Sequence, residues 1–136
     1  MFLEKDDYTA YINDADLEII QKSDDEVRTK VENTVISQIK EYLSCRYNVA
    51  ELFSKTGTER NDTLIMYMCD MAIYHLLSGT PGRFVSEQRE KRYNDAIKWL
   101  EKINVGTINP DFPYKDAADS GSPIKCNPGT KNQYIW

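Results

Sequence analysis

The feature that most restricts the possible folds of this chain is a segment that is apolar on almost every side. Residues 64–76 read LIMYMCDMAIYHL. A helix without a wide polar face is normally covered by neighbours on several sides. We therefore expect a central helix here, capped by Asn61 or Asp62 and ended by Gly79 and the residues that follow it.

Two other segments show the three- and four-residue apolar spacing of amphipathic helices. One opens at the acidic run Asp24–Glu26, which suits a helix N-terminus, and continues for about 20 residues. The other opens at Ser86 and closes before Gly106, a residue that can adopt the left-handed conformation that ends helices. Shorter helices are predicted within residues 4–21, the second of them at 14–20, and one further turn at 50–53. No segment alternates with period two, so the sequence predicts an all-α fold: a small bundle of three main helices with short N-terminal helices.

Prolines and glycines divide the 136 residues into a helical body and an extended tail. Only one of the five prolines lies before residue 107. We predict a helical domain at 1–106 and an extended, Pro- and Gly-containing tail at 107–136. Aromatic side chains in such a segment can bind a groove on a partner, because they bury much area at little entropic cost. The alternatives are that the tail folds back onto the body or is disordered. The bulky side chains that the tail offers to a partner are Phe112, Tyr134, Ile135 and Trp136.

The sequence contains little that points to catalysis. The one histidine, His75, lies in phase with the core positions of the central segment, where a structural role is favoured over that of a general base. A single histidine and three scattered cysteines provide little for a zinc site. P-loop, nucleophile-elbow and HExxH motifs are absent from the sequence. We expect no enzymatic activity, no cofactor and no metal.

Charge is concentrated at the beginning of the chain, which has a net charge of −5. Residues 1–20 contain six acids and one base, and the other acids and bases balance. Nucleic-acid binding depends mainly on lysine and arginine, so this distribution disfavours it. In an assembly of identical chains, the acidic segment could instead meet basic side chains of another copy, although both could simply be solvated faces. The candidate basic positions are Arg83, Arg89, Lys91 and Arg92.

Five short blocks resemble a known family. They are FLxKxDY at 2–8, EYLxxRYNV at 41–49, Arg60-Asn61 followed by MYxxDxAIYHL at 66–76, RxxRYxDAIKWL at 89–100 and GxIxPDxP at 106–113. In this order and spacing, they resemble the small tailed-phage proteins typified by the Mu-like head–tail joining protein. The resemblance covers residues 1 to about 113 and includes nothing in the later part of the tail.

The resemblance implies a structural virion protein of the phage neck, made in the host cytoplasm. Copies would form a ring, with about twelve expected, between the portal protein and a tail-side connector protein. The ring would extend the DNA channel, enclosing DNA without binding it specifically, and no membrane would be involved. One alternative is a small helical regulator that binds nucleic acid through residues 86–103, which contain five basic and four acidic residues. Another is a fragment or activating subunit of an enzyme, against which the absence of polar groups paired with His75 counts.

Overall fold

The computed structural model describes residues 2–22, 24–80, 82 and 84–115. These residues contain helices and no strand, although an isolated antiparallel bridge joins Tyr47 to Tyr114. The predicted all-α fold is therefore confirmed. In chain order the helices are a 3-10 helix at Lys5–Ala10, α1 at Asp14–Ile20, α2 at Asp25–Leu43, α3 at Val49–Ser54, a 3-10 turn at Gly57–Glu59, α4 at Asp62–Ser78 and α5 at Glu87–Asn104.

The three long helices begin at side-chain caps that the sequence predicts. Asn61 is one of the two predicted caps of α4. Its Oδ1 accepts a hydrogen bond from the backbone amide of Leu64 at 3.0 Å. Asp24 and Ser86 cap α2 and α5 in the same way. Each cap satisfies a backbone N–H that the helix itself leaves unpaired. After α5, Gly106 has a φ of +88°, the left-handed conformation expected of it.

The central position of α4 follows from its apolar sequence. Nine of its side chains are buried, and α2 and α5 pack against it. Removing this apolar surface from water is the main stabilising contribution in a fold of this kind, at about 25 cal/mol per Å². The fully buried side chains that α2 and α5 contribute to the core are Val35, Ile39, Leu43, Ala96, Leu100 and Ile103.

Helices α4 and α5 run antiparallel. Tyr74, late in α4, stacks on Tyr93, early in α5, with ring centroids 4.2 Å apart. Tyr67, early in α4, lies 4.7 Å from Trp99, late in α5. The end of α4 and the start of α5 therefore lie at the same end of the molecule.

The N-terminal segment before α1 contributes to the core. Phe2, Leu3 and Tyr8 are buried, at 3%, 2% and 0% exposure. Arg60 holds this segment, because its guanidinium donates to the Phe2 carbonyl at 2.7 Å and pairs with the Asp7 carboxylate at 2.5 Å. The segment is therefore part of the helical body.

Residues 107–115, which the sequence assigned to the tail, also pack against the body. Phe112 makes an edge-to-face contact with Tyr47, with ring centroids 5.6 Å apart. The backbone amide of Asn48 donates to the Pro113 carbonyl at 2.8 Å. For this part of the tail the fold-back alternative holds, and the packed body extends to about residue 115.

Candidate functional site

The predicted interaction residues have different surroundings. Arg83, Tyr134, Ile135 and Trp136 lie outside the described residues. Phe112 is not exposed to a partner, because its ring is 3% exposed and packs on the chain's own aromatic side chains. The two remaining residues, Arg89 and Arg92, are on the first turns of α5.

Arg89 ties α5 to the N-terminal segment. Its Nη2 donates to the backbone carbonyl of Tyr11 at 2.7 Å. The side chain is partly buried, and this burial, together with the nearby charge of Arg92, lowers the pKa of the Arg89 guanidinium. Arg89 thus performs an internal role that no local pattern in the sequence indicates.

Arg92 pairs with a buried carboxylate of α4. Its Nη1 lies 3.4 Å from Oδ1 of Asp70, whose side chain is 3% exposed. Burial raises the pKa of Asp70, and the charge of Arg92 opposes that shift. A buried carboxylate that loses its partner is costly. Reversing the charge of Arg89 or Arg92 would consequently disturb the fold as well as any interface.

Some acidic residues of the N-terminal segment, residues 1–20, form ion pairs within the chain. Asp7 pairs with Arg60, and Glu18 pairs with Lys5. Asp14, at the start of α1, forms no ion pair with any residue that the structure describes. The complementarity predicted between this segment and another copy is therefore partly satisfied inside one chain.

An exposed aromatic side chain marks the end of the molecule where α4 and α5 meet. Phe84, two residues before the cap of α5, is 89% exposed. The end of α1 lies nearby, because Oγ1 of Thr80, four residues before Phe84, is 3.3 Å from the carbonyl oxygen of Ile20. Ile19 of α1 is 48% exposed.

We call four of the exposed side chains at this end the Phe84 surface: Asp14, Ile19, Phe84 and Glu87. No pattern in the sequence indicates this surface. An aromatic residue just before a helix cap often packs on the helix, so its exposure cannot be read from the sequence.

A family model described as bacteriophage Mu, Gp36 matches residues 2–125 of this chain. The chain belongs to the bacteriophage Mu Gp36 family. The match includes all five blocks on which the sequence resemblance depended, and it identifies a phage protein. No curated protein and no solved structure gives a significant match.

In this member of the Mu Gp36 family, the one histidine is held by the fold. The Nε2 of His75 lies 3.2 Å from Oε1 of Gln38, and the His75 ring contacts Tyr93 edge-to-face at 5.5 Å. Burial lowers the pKa of His75. The hydrogen bond and ring contact agree with the structural role expected for this residue.

Three features of the described residues of this Mu Gp36 family member concern metals, membranes and nucleic acids. Within them, no group of three or more His, Cys, Asp or Glu residues is arranged to hold a metal ion. None of their helices has the length and hydropathy needed to span a bilayer. Three of the five bases of α5 have internal partners: Arg89, Arg92 and Lys91, which pairs with Asp95 at 3.0 Å. This pairing counts against a basic stripe that contacts nucleic acid.

Proposed function

We propose that this Mu Gp36 family member is a structural protein of the phage neck. Copies form a ring, with about twelve expected, between the portal at the capsid vertex and the connector on the tail side. The ring extends the channel through which DNA passes and does not bind DNA sequence-specifically. The protein makes and breaks no covalent bond, and it assembles in the host cytoplasm before it becomes part of the virion.

The observation that carries this proposal is the family match along residues 2–125, which includes every helix described. The blocks within that span are those that resemble a head–tail joining protein. Membership of a phage family indicates that the protein belongs to a phage. The order of the blocks favours a role in the phage neck.

The geometry of the chain supports the same function. A closed ring of identical chains needs two different patches on each copy, one for each neighbour. The Phe84 surface lies at one end of α5, and residue 115, from which the tail continues, lies near the other end, where Arg46 contacts both Lys115 and Asn104. With 18 residues, α5 separates these ends by about 27 Å. Patches that far apart can face two different neighbours.

Co-purification with the portal protein of the same phage tests the proposal. We expect the full chain to bind an assembled portal ring and to appear as an extra ring on its tail side in electron micrographs. Deletion of residues 116–136 would then report on the tail without removing Tyr114, which packs against Tyr47. Absence of the protein from purified virions would contradict the proposal, and a gel shift with DNA that weakens steeply with salt would favour the regulator.

A further inference from the structure

We propose that residues 120–136 of one copy dock on the Phe84 surface of a neighbouring copy, so that the tail links successive chains head to tail. This inference rests on the proposed function, because it assumes an assembly of identical chains. It names both patches of the interface and therefore adds to the ring proposal.

The receiving surface has two large apolar side chains that no residue described by the structure covers. Phe84 is 89% exposed and Ile19 is 48% exposed, at the same end of the molecule. An aromatic side chain in water contributes little to the stability of its own chain, but it can contribute strongly when a partner covers it. The Phe84 surface therefore has the chemistry of one half of an interface.

Around these apolar side chains two acidic residues, Asp14 and Glu87, and one basic residue, Lys22, are exposed. Asp14 and Glu87 stand in the first turns of α1 and α5, and both are exposed. Neither forms an ion pair within the part of the chain that the structure describes. A partner with basic and bulky apolar side chains would complement this surface.

Residues 120–136 have that composition. The segment contains Lys125 and Lys131 and no acidic residue. Tyr and Trp are among the side chains that contribute most when they enter a partner's surface, and this segment includes one of each. Its large apolar side chains are Ile124, Tyr134, Ile135 and Trp136.

The tail leaves the body at the end opposite the Phe84 surface. The backbone amide of Lys115 donates to the Arg46 carbonyl at 3.2 Å, and Nη2 of Arg46 donates to the carbonyl of Asn104, the last residue of α5, at 3.0 Å. Phe84 precedes the first residue of that helix, so the length of α5, about 27 Å, separates the two places. Two different patches at opposite ends are what a head-to-tail interface requires.

The tail is long enough to reach another copy. The ten residues from 127 to 136 alone span up to about 33 Å when extended, which exceeds the length of α5. Docking on its own Phe84 surface would require the tail to run back along the exposed face of α5. That face is charged, with Glu90, Lys98 and Lys102 exposed, and offers little to an apolar segment. A neighbouring copy avoids this path.

Sedimentation of full-length chains up to about 1 mM measures the interaction. One variant, Phe84→Ser, keeps the tail and loses the surface. A second variant, with Tyr134→Ser and Trp136→Ser, keeps the surface and loses the aromatic side chains of the tail. Val105→Ser, at the other end of α5 and 59% exposed, is the matched control. Circular dichroism should show that all variants fold, because the replaced body residues are exposed.

We expect the wild-type chain and Val105→Ser to associate equally, and each of the other two variants to associate at least about tenfold more weakly. Mixing those two variants should restore a complex that stops at two chains, because one intact tail then meets one intact surface. A monomeric wild-type chain, equal association of all variants, or failure of the mixture to pair would overturn the inference.

A portal-binding assay on the same proteins separates this inference from the proposed function. Wild-type self-association without binding to the portal ring would support the tail contact and contradict the neck role. If the wild-type chain stays monomeric and Phe84→Ser loses portal binding, the portal covers the Phe84 surface. The tail contact is then wrong and the neck role stands.

Discussion

Replacing Tyr8 with phenylalanine tests how the N-terminal segment supports a buried carboxylate in α2. The Tyr8 hydroxyl donates to Oε2 of Glu32 at 2.7 Å, and the Glu32 side chain is 1% exposed. The second donor to the same oxygen is Nε of Arg28 at 3.2 Å. A hydrogen bond to a charged group contributes about 1.5–3 kcal/mol. Because the phenylalanine ring fills the same space, we expect Tyr8→Phe to lower the free energy of unfolding by that amount at neutral pH.

The size of this loss should depend on pH. Burial raises the pKa of Glu32, and the hydrogen bond from Tyr8 opposes that shift. A carboxyl whose pKa is raised on folding contributes stability at low pH that is lost as the pH rises through the folded-state pKa. Tyr8→Phe removes a donor to the ionised form, so the pKa of Glu32 rises further. Near pH 4.5, the ordinary pKa of Glu32, the loss should fall toward the about 0.5–1.5 kcal/mol of a neutral hydrogen bond.

Urea unfolding, followed by circular dichroism at pH 4.5 and pH 7, measures both effects. For a domain of this size, a loss of about 2 kcal/mol lowers the midpoint by about 1 M urea. Tyr11→Phe is the matched control, because the Tyr11 hydroxyl makes no hydrogen bond within the described residues. Equal losses for the two variants, or a Tyr8→Phe loss that is the same at both pH values, would refute this account of Glu32.

Two further predictions concern the end of the body, and urea unfolding measures both. Phe112→Ala should cost about 3–5 kcal/mol, because it empties a buried aromatic position; a cost under about 1 kcal/mol would show that residues 107–115 do not belong to the packed body. Gly106→Ala should cost about 1–2 kcal/mol, because its φ is +88° and an added Cβ would lie 3.0 Å from Nη1 of Arg46. Gly79→Ala is the control for the second variant, since Gly79 lacks a positive φ and its nearest neighbour, the His75 carbonyl oxygen, is 3.6 Å away. Equal costs at the two glycines would contradict the strain argument.

The helices could be predicted because their signals are local. Each capping side chain lies within a few residues of the backbone amide that donates a hydrogen bond to it, so a short window of sequence contains both partners. The three caps are Asp24, Asn61 and Ser86. The prediction of a helix at 14–20 matches α1 for the same reason. The all-round apolar character of residues 64–76 likewise indicated burial without reference to any particular neighbour.

The candidate site was less predictable, because its contacts join distant parts of the chain. Arg89 was predicted as a residue that meets a partner, and it donates to Tyr11, which is 78 residues away. No contact was predicted for Arg60, yet it holds Phe2 across 58 residues. The sequence around an arginine does not indicate whether its partner lies in the same chain or in another.

The sequence alone determined the fold class, the order and caps of the helices, the central place of α4 and the phage family. Tertiary structure alone decided which charges are used internally, that residues 107–115 belong to the body, and that Phe84 is exposed. Helix periodicity and capping depend on atoms within one or two turns. Burial and ion pairing depend on which surfaces meet after the chain has folded.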